Sequence, residues 1–588
     1  MKKILFTICL LFSMVIPVAS QIIPPSPESE SFVRYVANPV NFKTGSCDVR
    51  IPLYEIISGD LRLPISLSYH STGRKTYERN GPVGLEWLLD TGGMITRTVY
   101  GLRDDDVWNF PVPFPNDIAA LSNKNNYNFL AGVNQTPLVT TFYDTQYDIF
   151  SYNFGGASGN FILKDENNQK IPEIIPNRSL KVFVHKVLTP HPMFDYIEVI
   201  DENGIFYRFG KSIKTGEANI ETTGDYVSTW YISEIIAADK QDTISFKYNT
   251  VGKQRMTYNE LVVARDQHSF YGSNAGSPTV AEINSQEQTN QIDYSSTRIR
   301  EITFKNGKIL FLQEKNSDLI SKMVIYSNNL PLKTVGFAKS LLDSPVGLYT
   351  FSIRDQVNYK LDKVTFQDAN NVLINQYQFE YFPSTDFNVR HNDWWGYYNG
   401  STANPYYLIP RYSIPFTTPN QPPGSREIGH TEADRNPNAQ FAQYGILKRV
   451  IYPTGGKTDF YYESNKYKSY TQGGIIANYG GLRIYKTVNS DISGNVSVKS
   501  YRYGENENGY GLINYEPGIG LIGFEQSEIK YYSGGQGGWI GCYQYGFGDH
   551  EFIRTRYYSS DVLPQYSNYF YSPVRYPEIS VYDGEISN

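Results

Sequence analysis

The stretch His391-Asn-Asp-Trp-Trp-Gly-Tyr-Tyr-Asn-Gly400 crowds an imidazole, a carboxylate and several aromatic rings together. His391 beside Asp393 is the nearest thing to an acid/base pair in the sequence. A catalytic site needs a nucleophile, a base and an orienting group brought together in space, and adjacency along the chain does not supply that geometry. No catalytic residue is assigned. Trp394, Trp395, Tyr397 and Tyr398 offer aromatic faces that could stack on sugar rings. Large aromatics also plug β-cores, and that reading comes first; the four residues are kept as the candidate binding set.

Other clusters lack the chemistry they superficially suggest. Asp104-Asp105-Asp106 could donate oxygens to Ca²⁺, but it lacks the alternating spacing and the glycine of a calcium loop. A solvated loop is expected there. Gly534-Gly535-Gln-Gly537-Gly538 lacks the Lys-Ser/Thr of a phosphate cradle and reads as a turn. No Gly-x-Ser-x-Gly elbow, HExxH helix or Walker loop occurs. With 59 Asp and Glu residues, choosing any two as a glycosidase pair would be arbitrary. Cys47 and Cys542 stand in neither CxxC nor CxxH spacing, so a structural zinc site is not supported. Buried free thiols are expected rather than a bridge between them. The expectation is a protein that is not an enzyme and uses no metal or cofactor.

The elements that position these residues follow from composition. Aromatics make up 15% of the 588 residues, with 50 Tyr, and charged residues 19%. An ordinary soluble protein carries about 25% charged residues. The aromatic content excludes global disorder. Tyr, Phe, Thr, Val and Ile fit a pleated, half-buried surface, so the expected class is all-β, with large antiparallel hairpin sheets or stacked sandwiches. Net charge is -6, with no basic excess to support nucleic-acid binding.

Residues 1–20 read as a secretory signal peptide. Lys2 and Lys3 precede a short apolar run, Ile4 to Val18, and Val18-Ala19-Ser20 supplies small residues before Gln21. No later run is long and apolar enough to span a bilayer as a helix, so the mature chain is expected to be exported without a transmembrane segment, to the cell surface, the medium or the periplasm. Residues 21–46 read as an extended lead-in, and 47–250 as an N-terminal β region. Residues 251–295 are rich in Gln, Asn and Ser and read as a polar insertion or a local helix. Residues 296–588 read as a second β-hairpin region, interrupted by an irregular loop at 384–442.

Strand signals recur throughout. Asp60 to His70 alternates apolar and polar side chains, the period of a strand with one buried face. Hairpin turns are expected at Gly155-Gly156, Asn203-Gly204, Asn306-Gly307, Asn370-Asn371 and Gly455-Gly456. Asn-Gly and Gly-Gly between alternating runs suit turns that need φ > 0. Their irregular spacing argues against a solenoid of fixed period.

Several motifs stand in an order that resembles the upstream region of exported RHS/YD-repeat proteins. They are Ile51-Pro-Leu-Tyr54, Leu63-Pro-Ile-Ser-Leu-Ser-Tyr-His-Ser71, Val83-Gly-Leu-Glu-Trp87, Gly92-Gly-Met-Ile-Thr-Arg97, Thr229-Trp-Tyr-Ile232, Asp393-Trp-Trp-Gly-Tyr-Tyr-Asn-Gly400, Tyr452-Pro-Thr-Gly-Gly-Lys-Thr458 and Gly480-Gly-Leu-Arg-Ile484. The resemblance implies a secreted or surface β-hairpin scaffold, whose long members wind into a shell around a toxin-like polypeptide. The chain departs from that pattern. A run of Tyr-Asp-x-x-Gly repeats is missing, as are an Asp-Pro core signature and a toxin-like tail. No catalytic residue is carried over. The resemblance implies a structural or interaction role at the cell surface or in competition between cells, with a downstream RHS core or toxin polypeptide, or a surface glycan, as partner. The alternative is a secreted carbohydrate-binding protein or glycoside hydrolase.

Overall fold

The computed structural model describes residues 40–100, 144–187, 193–270, 280–343, 357–416, 424–513, 523–531, 550–560 and 574–586, apart from a few short gaps, with isolated positions elsewhere. The expected signal peptide, most of the lead-in, most of the stretch from Asp104 to Thr141, the Gly534–Gly538 turn and Cys542 lie outside the described residues. Strands take 63% of the chain and helix 3%, so the expected all-β class is correct. Most strands join one 23-stranded sheet; Cys47–Ser58, Leu61–Ser71 and Trp87–Asp90 form a separate three-stranded one.

Alternation in sequence becomes alternation in burial. Along Leu61–Ser71 every second side chain, from Leu61 to Tyr69, faces the core. The largest hydrophobic core among the described residues runs from Val40 to Tyr576 and includes Trp87 and Trp230, which are 1% and 0% exposed. The Trp230 indole N–H donates to the Phe194 carbonyl at 2.8 Å, so burial leaves no polar atom of that ring unpaired. Cys47 is a buried free thiol.

Most of the expected turns form where the local backbone requires them. Gly155 and Gly156 have φ of 55° and 78° and close a two-residue hairpin between Ile149–Phe154 and Ala157–Glu166. Asp201–Ile205, Asp368–Val372 and Asp491–Asn495 share one loop. The first N–H donates to the fifth carbonyl, the fourth N–H donates to the first carbonyl, and the fourth residue, Gly204, Asn371 or Gly494, has positive φ. The aspartate Oδ1 accepts the fifth residue's N–H in all of them, at 2.8–2.9 Å. Tyr452–Gly456 has the same backbone bonds without the aspartate. The turn expected at Asn306-Gly307 is displaced by one residue. Phe304 pairs with Gly307, leaving Lys305 and Asn306 as the loop. Gly307 instead permits close approach, because a Cβ there would lie 2.4 Å from the Tyr326 carbonyl.

The described residues of the segment read as a polar insertion or local helix are strand. Thr243–Phe270 and Val280–Phe304 form a long antiparallel ribbon, paired from Ser245↔Thr303 to Gln267↔Val280 with one register shift after Lys247. His550–Ser559 pairs with the first of these strands from Leu261 to Phe270. Cross-strand polar contacts such as Thr250 to Thr297, 2.9 Å between hydroxyls, replace the apolar alternation that would have betrayed it. The loop at 384–442 also carries structure: a hairpin of Tyr412–Phe416 and Gly424–Ile428, and a one-turn helix, Ala439–Ala442, capped by Asn438. Ile409, Ile414 and Ile428 join Val262, Ala264 and Tyr558 in a second small core.

Strand directions sort the connections. The turns at 155–156, 201–205, 237–242, 305–306, 328–329, 369–372, 452–456 and 491–495 all emerge at one rim of the main sheet. The strands that end at Phe270, Asp343, Tyr381 and Tyr503 do so at the opposite rim. The residues singled out for their chemistry at 391–400 follow Tyr381.

Candidate functional site

Asp393 to Tyr397 folds into the same loop as the hairpin tips above. The Asp393 N–H donates to the Tyr397 carbonyl at 2.8 Å, the Gly396 N–H donates to the Asp393 carbonyl at 3.1 Å, and Gly396 has φ of 85°. Asp393 Oδ1 accepts the N–H groups of Trp395 and Tyr397, each at 2.9 Å. The carboxylate is therefore committed to its own turn, and pairing with His391 does not organise this loop.

The four candidate aromatics separate. Tyr397 and Tyr398 are 1% and 3% exposed. Tyr397 Oη lies 2.8 Å from Thr72 Oγ1, and Lys75 Nζ sits 5.4 Å from its ring centre. Tyr398 packs among Phe387, Phe441 and Tyr444, with ring centres 5.0–5.9 Å apart. Trp394 and Trp395 are half-buried at the loop tip. The Arg435 guanidinium lies 5.0 Å from the Trp394 ring centre. Trp395 lies 4.0 Å from Tyr479, over Gly480, where a Cβ would come within 2.6 Å of the indole. The loop docks on the Gly480-Gly481 motif and on the Thr72–Lys75 segment, to which Tyr398 N–H donates at the Arg74 carbonyl (2.8 Å). Motifs far apart in sequence meet here through packing, and the four rings form no shared open face.

The charges around this junction are strongly perturbed. Burial pushes the Asp393 carboxyl up to about 7, against the opposing effect of its two N–H donors, Arg435 and Lys75. Glu86 is pushed up to about 8 by burial and by Glu78, despite hydrogen bonds from Tyr69 and Ser71 and the nearby Arg74. Lys75 is raised, chiefly by Tyr397. Glu86 also has φ of 62°, a conformation costing a non-glycine residue about 1–2 kcal/mol. Ser71 Oγ donates to Glu86 Oε1 at 2.7 Å and Tyr69 Oη donates to Oε2. The Leu447 N–H donates to Tyr69 Oη at 2.9 Å, which ties the chain of bonds to the next element. These contacts hold a junction together.

Two clusters were not visible in the sequence. Asp104 and Asp105, expected in a solvated loop, are 0% exposed. Arg97 Nη1 lies 2.9 Å from Asp105 Oδ2, and Arg97 Nε donates to Asp148 Oδ2 at 2.8 Å. Asp104 and Asp148 exchange backbone-to-carboxylate bonds of 2.8 and 3.0 Å. Burial, reinforced by Asp148, raises Asp104 to about 7. The signal that could have found this cluster is Arg97 at an inward position of its strand, since a buried arginine requires acids. The second cluster centres on Glu260, 2% exposed. Its Oε1 meets Ser285 Oγ (2.7 Å) and His430 Nε2 (3.0 Å), and its Oε2 accepts the N–H groups of Leu408 and Ile409, both at 2.8 Å. His430 stacks on Tyr407 with ring centres 3.6 Å apart. No local signal joins partners so distant in sequence. Among the described residues, no group of three or more His, Cys, Asp or Glu side chains is arranged to hold a metal ion.

No family model matches the sequence, and no curated protein matches it. Among solved structures, a chain described as "Crystal Structure of TcdB2-TccC3-TEV" is similar over 82% of this chain and 21% of that one, at 9% identity and a TM-score of 0.31. The chain thus spans about a fifth of that structure's length, and a likeness of this size carries no argument about fold or function.

Proposed function

We propose that the chain is an exported β-scaffold of the RHS/YD-repeat kind, which holds or contacts another polypeptide and turns over no substrate. The supporting observation is the recurring loop Asp-x-x-Gly/Asn-x, at 201–205, 368–372, 393–397 and 491–495, with one set of backbone bonds and an aspartate that caps its own turn. A Tyr-Asp-x-x-Gly repeat asks for the same residues at the same places. Its tyrosine is replaced here by Ile200, Gln367, Asn392 and Ser490, which explains why no run of repeats is visible in the sequence. The carboxylates of Asp393, Glu86 and Glu260 are met by internal donors, as expected of a scaffold. Against the glycan reading stands the burial of Tyr397 and Tyr398, which removes half of the stacking set.

The test is co-expression of the full chain with the product of the adjacent reading frame, against an unrelated exported protein. Stable co-elution with the former alone is expected. Hydrolysis of a polysaccharide, peptide or ester that one carboxylate or histidine substitution abolishes, in a variant that stays folded, would overturn the scaffold reading.

A further inference from the structure

The sequence contains five Asn-Gly pairs, beginning at Asn80, Asn203, Asn306, Asn399 and Asn508. Glycine has no Cβ to shield its backbone nitrogen, so in each pair that nitrogen is open to attack on the asparagine side-chain carbonyl. The sequence ranks the five equally; the fold does not. Asn80 Nδ2 donates to the Val357 carbonyl at 2.8 Å, and its Oδ1 accepts the Tyr359 N–H at 2.9 Å. Asn399 is buried, and its Nδ2 donates to the carbonyls of Asp434 and Asn436. Asn508 Oδ1 accepts the Tyr510 N–H at 3.1 Å, and the Gly509 N–H donates to the carbonyl of buried Tyr503 at 2.8 Å. Asn306 is exposed, but Gly307 is paired on both sides, with Phe304 and Ser327, and the Asn306 carbonyl accepts the Asn328 N–H at 3.0 Å. Asn203 differs. It and Gly204 are both exposed and lie between strands, and the Asn203 side chain makes no hydrogen bond among the described residues. The attacking nitrogen is held by the bond from Gly204 N–H to the Asp201 carbonyl, 3.0 Å, at a tip open to water. Opening such a tip lies at the low end of local unfolding costs.

We propose that Asn203 is a self-modification site, converted by its own backbone and water to aspartate and isoaspartate while the chain stays folded. The Gly204 nitrogen gives up its proton and bonds to Asn203 Cγ. The Cγ–Nδ2 bond breaks, and the amide nitrogen leaves as ammonia with that proton. Water then opens the cyclic imide at either carbonyl. Opening at Cγ gives aspartate; opening at the main-chain carbonyl gives isoaspartate, whose backbone is longer by a methylene. The loop Asp368–Val372 is the internal comparison. It makes the same backbone bonds, and Asn370 is exposed like Asn203, but the next residue is Asn371, whose Cβ crowds the nitrogen. Either product adds negative charge beside Glu202. The iso product also lengthens the loop that Asp201 caps, so conversion is a slow, one-way change of this hairpin tip. The proposal is independent of the RHS/YD reading.

Incubation of the full chain in mildly alkaline buffer, folded and in urea, with peptide mapping by mass spectrometry, decides the matter. In the folded chain the Asn203 peptide should gain the amide-to-acid mass at least about tenfold faster than the peptides holding Asn80, Asn306, Asn399 or Asn508. It should also accept methyl groups from an isoaspartyl methyltransferase. In urea the five should draw level. Gly204→Asn, which copies the 368–372 loop, should slow conversion at Asn203 about tenfold with circular dichroism unchanged. If that variant fails to fold, the comparison of folded and urea-treated parent carries the test. Conversion led by another of the five in the folded chain, or equal rates at all five there, overturns the proposal. So does an Asn203 that converts in urea alone, or a folded Gly204→Asn chain that converts as fast as the parent.

Discussion

Asp393 Oδ1 accepts the Tyr397 N–H at 2.9 Å, the relation that Asp201 has to Ile205 and Asp368 to Val372. The difference is burial: Asp393 is 1% exposed, while the Asp368 turn faces water. Asp393→Ala should leave one buried and one part-buried N–H group without an acceptor and cost on the order of 2–3 kcal/mol. Asp368→Ala should cost under about 1 kcal/mol, since water can take over the bonds. Urea unfolding of the two variants makes the comparison, and equal losses would contradict the burial argument.

Glu86, Asp104 and Asp393 titrate upward in the folded chain, to about 8, 7 and 7, each mainly through burial. A carboxyl whose folded pKa exceeds its unfolded value holds its proton more tightly when folded. Its contribution is fully present below the ordinary carboxylate range near 4 and is lost as pH rises through the folded value. Asp318, held low by Arg298 and Lys253 against burial, acts oppositely but only at acid pH. His70 and His391, both lowered by burial, act oppositely up to about pH 6.5, so the melting temperature should fall between pH 7 and pH 9, and Glu86→Gln should flatten that fall. Calorimetry across the window checks both; a melting temperature that climbs with pH would refute them.

Gly481 has φ of 83°, and a Cβ there would sit 2.9 Å from both Tyr397 Oη and the Thr72 carbonyl. Gly481→Ala should destabilise by about 1–3 kcal/mol through strain and overpacking. Gly480→Ala should displace Trp395 and shift tryptophan fluorescence. Unchanged emission in a folded Gly480→Ala protein would show that the loop does not dock as described.

Trp230→Ala should cost about 3–5 kcal/mol, because it empties a fully buried site beside Phe150 and Phe194. Trp394→Ala, at a half-buried tip against Arg435, should cost clearly less. Thermal or denaturant midpoints of the pair rank them, and a larger loss at Trp394 would place it in the core.

Glu260→Ala should cost about 3–5 kcal/mol, since it strands His430, Ser285 and two backbone donors. Glu260→Gln, which keeps one oxygen, should cost less. Hydrogen exchange at Leu408 and Ile409 is the direct readout and should accelerate in both.

Local chemistry was legible in the sequence because it is settled within a few residues. Gly155-Gly156 closes a hairpin because both positions need φ > 0, and Leu61 to Ser71 buries alternate side chains because a strand has a period of two. The all-β class follows from the same short-range facts. Where the local signal is ambiguous, tertiary contacts decided. Asn306-Gly307 has the composition of a turn, yet pairing of Phe304 with Gly307 moved the turn to Lys305-Asn306. The polar stretches 251–270 and 280–295 have no apolar period to read, and they are strands because they pair with each other and the first pairs with His550–Ser559. Asp104 looked solvated until Arg97 and Asp148 enclosed it. Glu260 and His430 stand 170 residues apart and meet only because the ribbon and the loop at 384–442 leave the sheet from the same rim. Burial, and with it every perturbed carboxyl, depends on which segments close over a side chain, and that is set by the packing of the whole sheet.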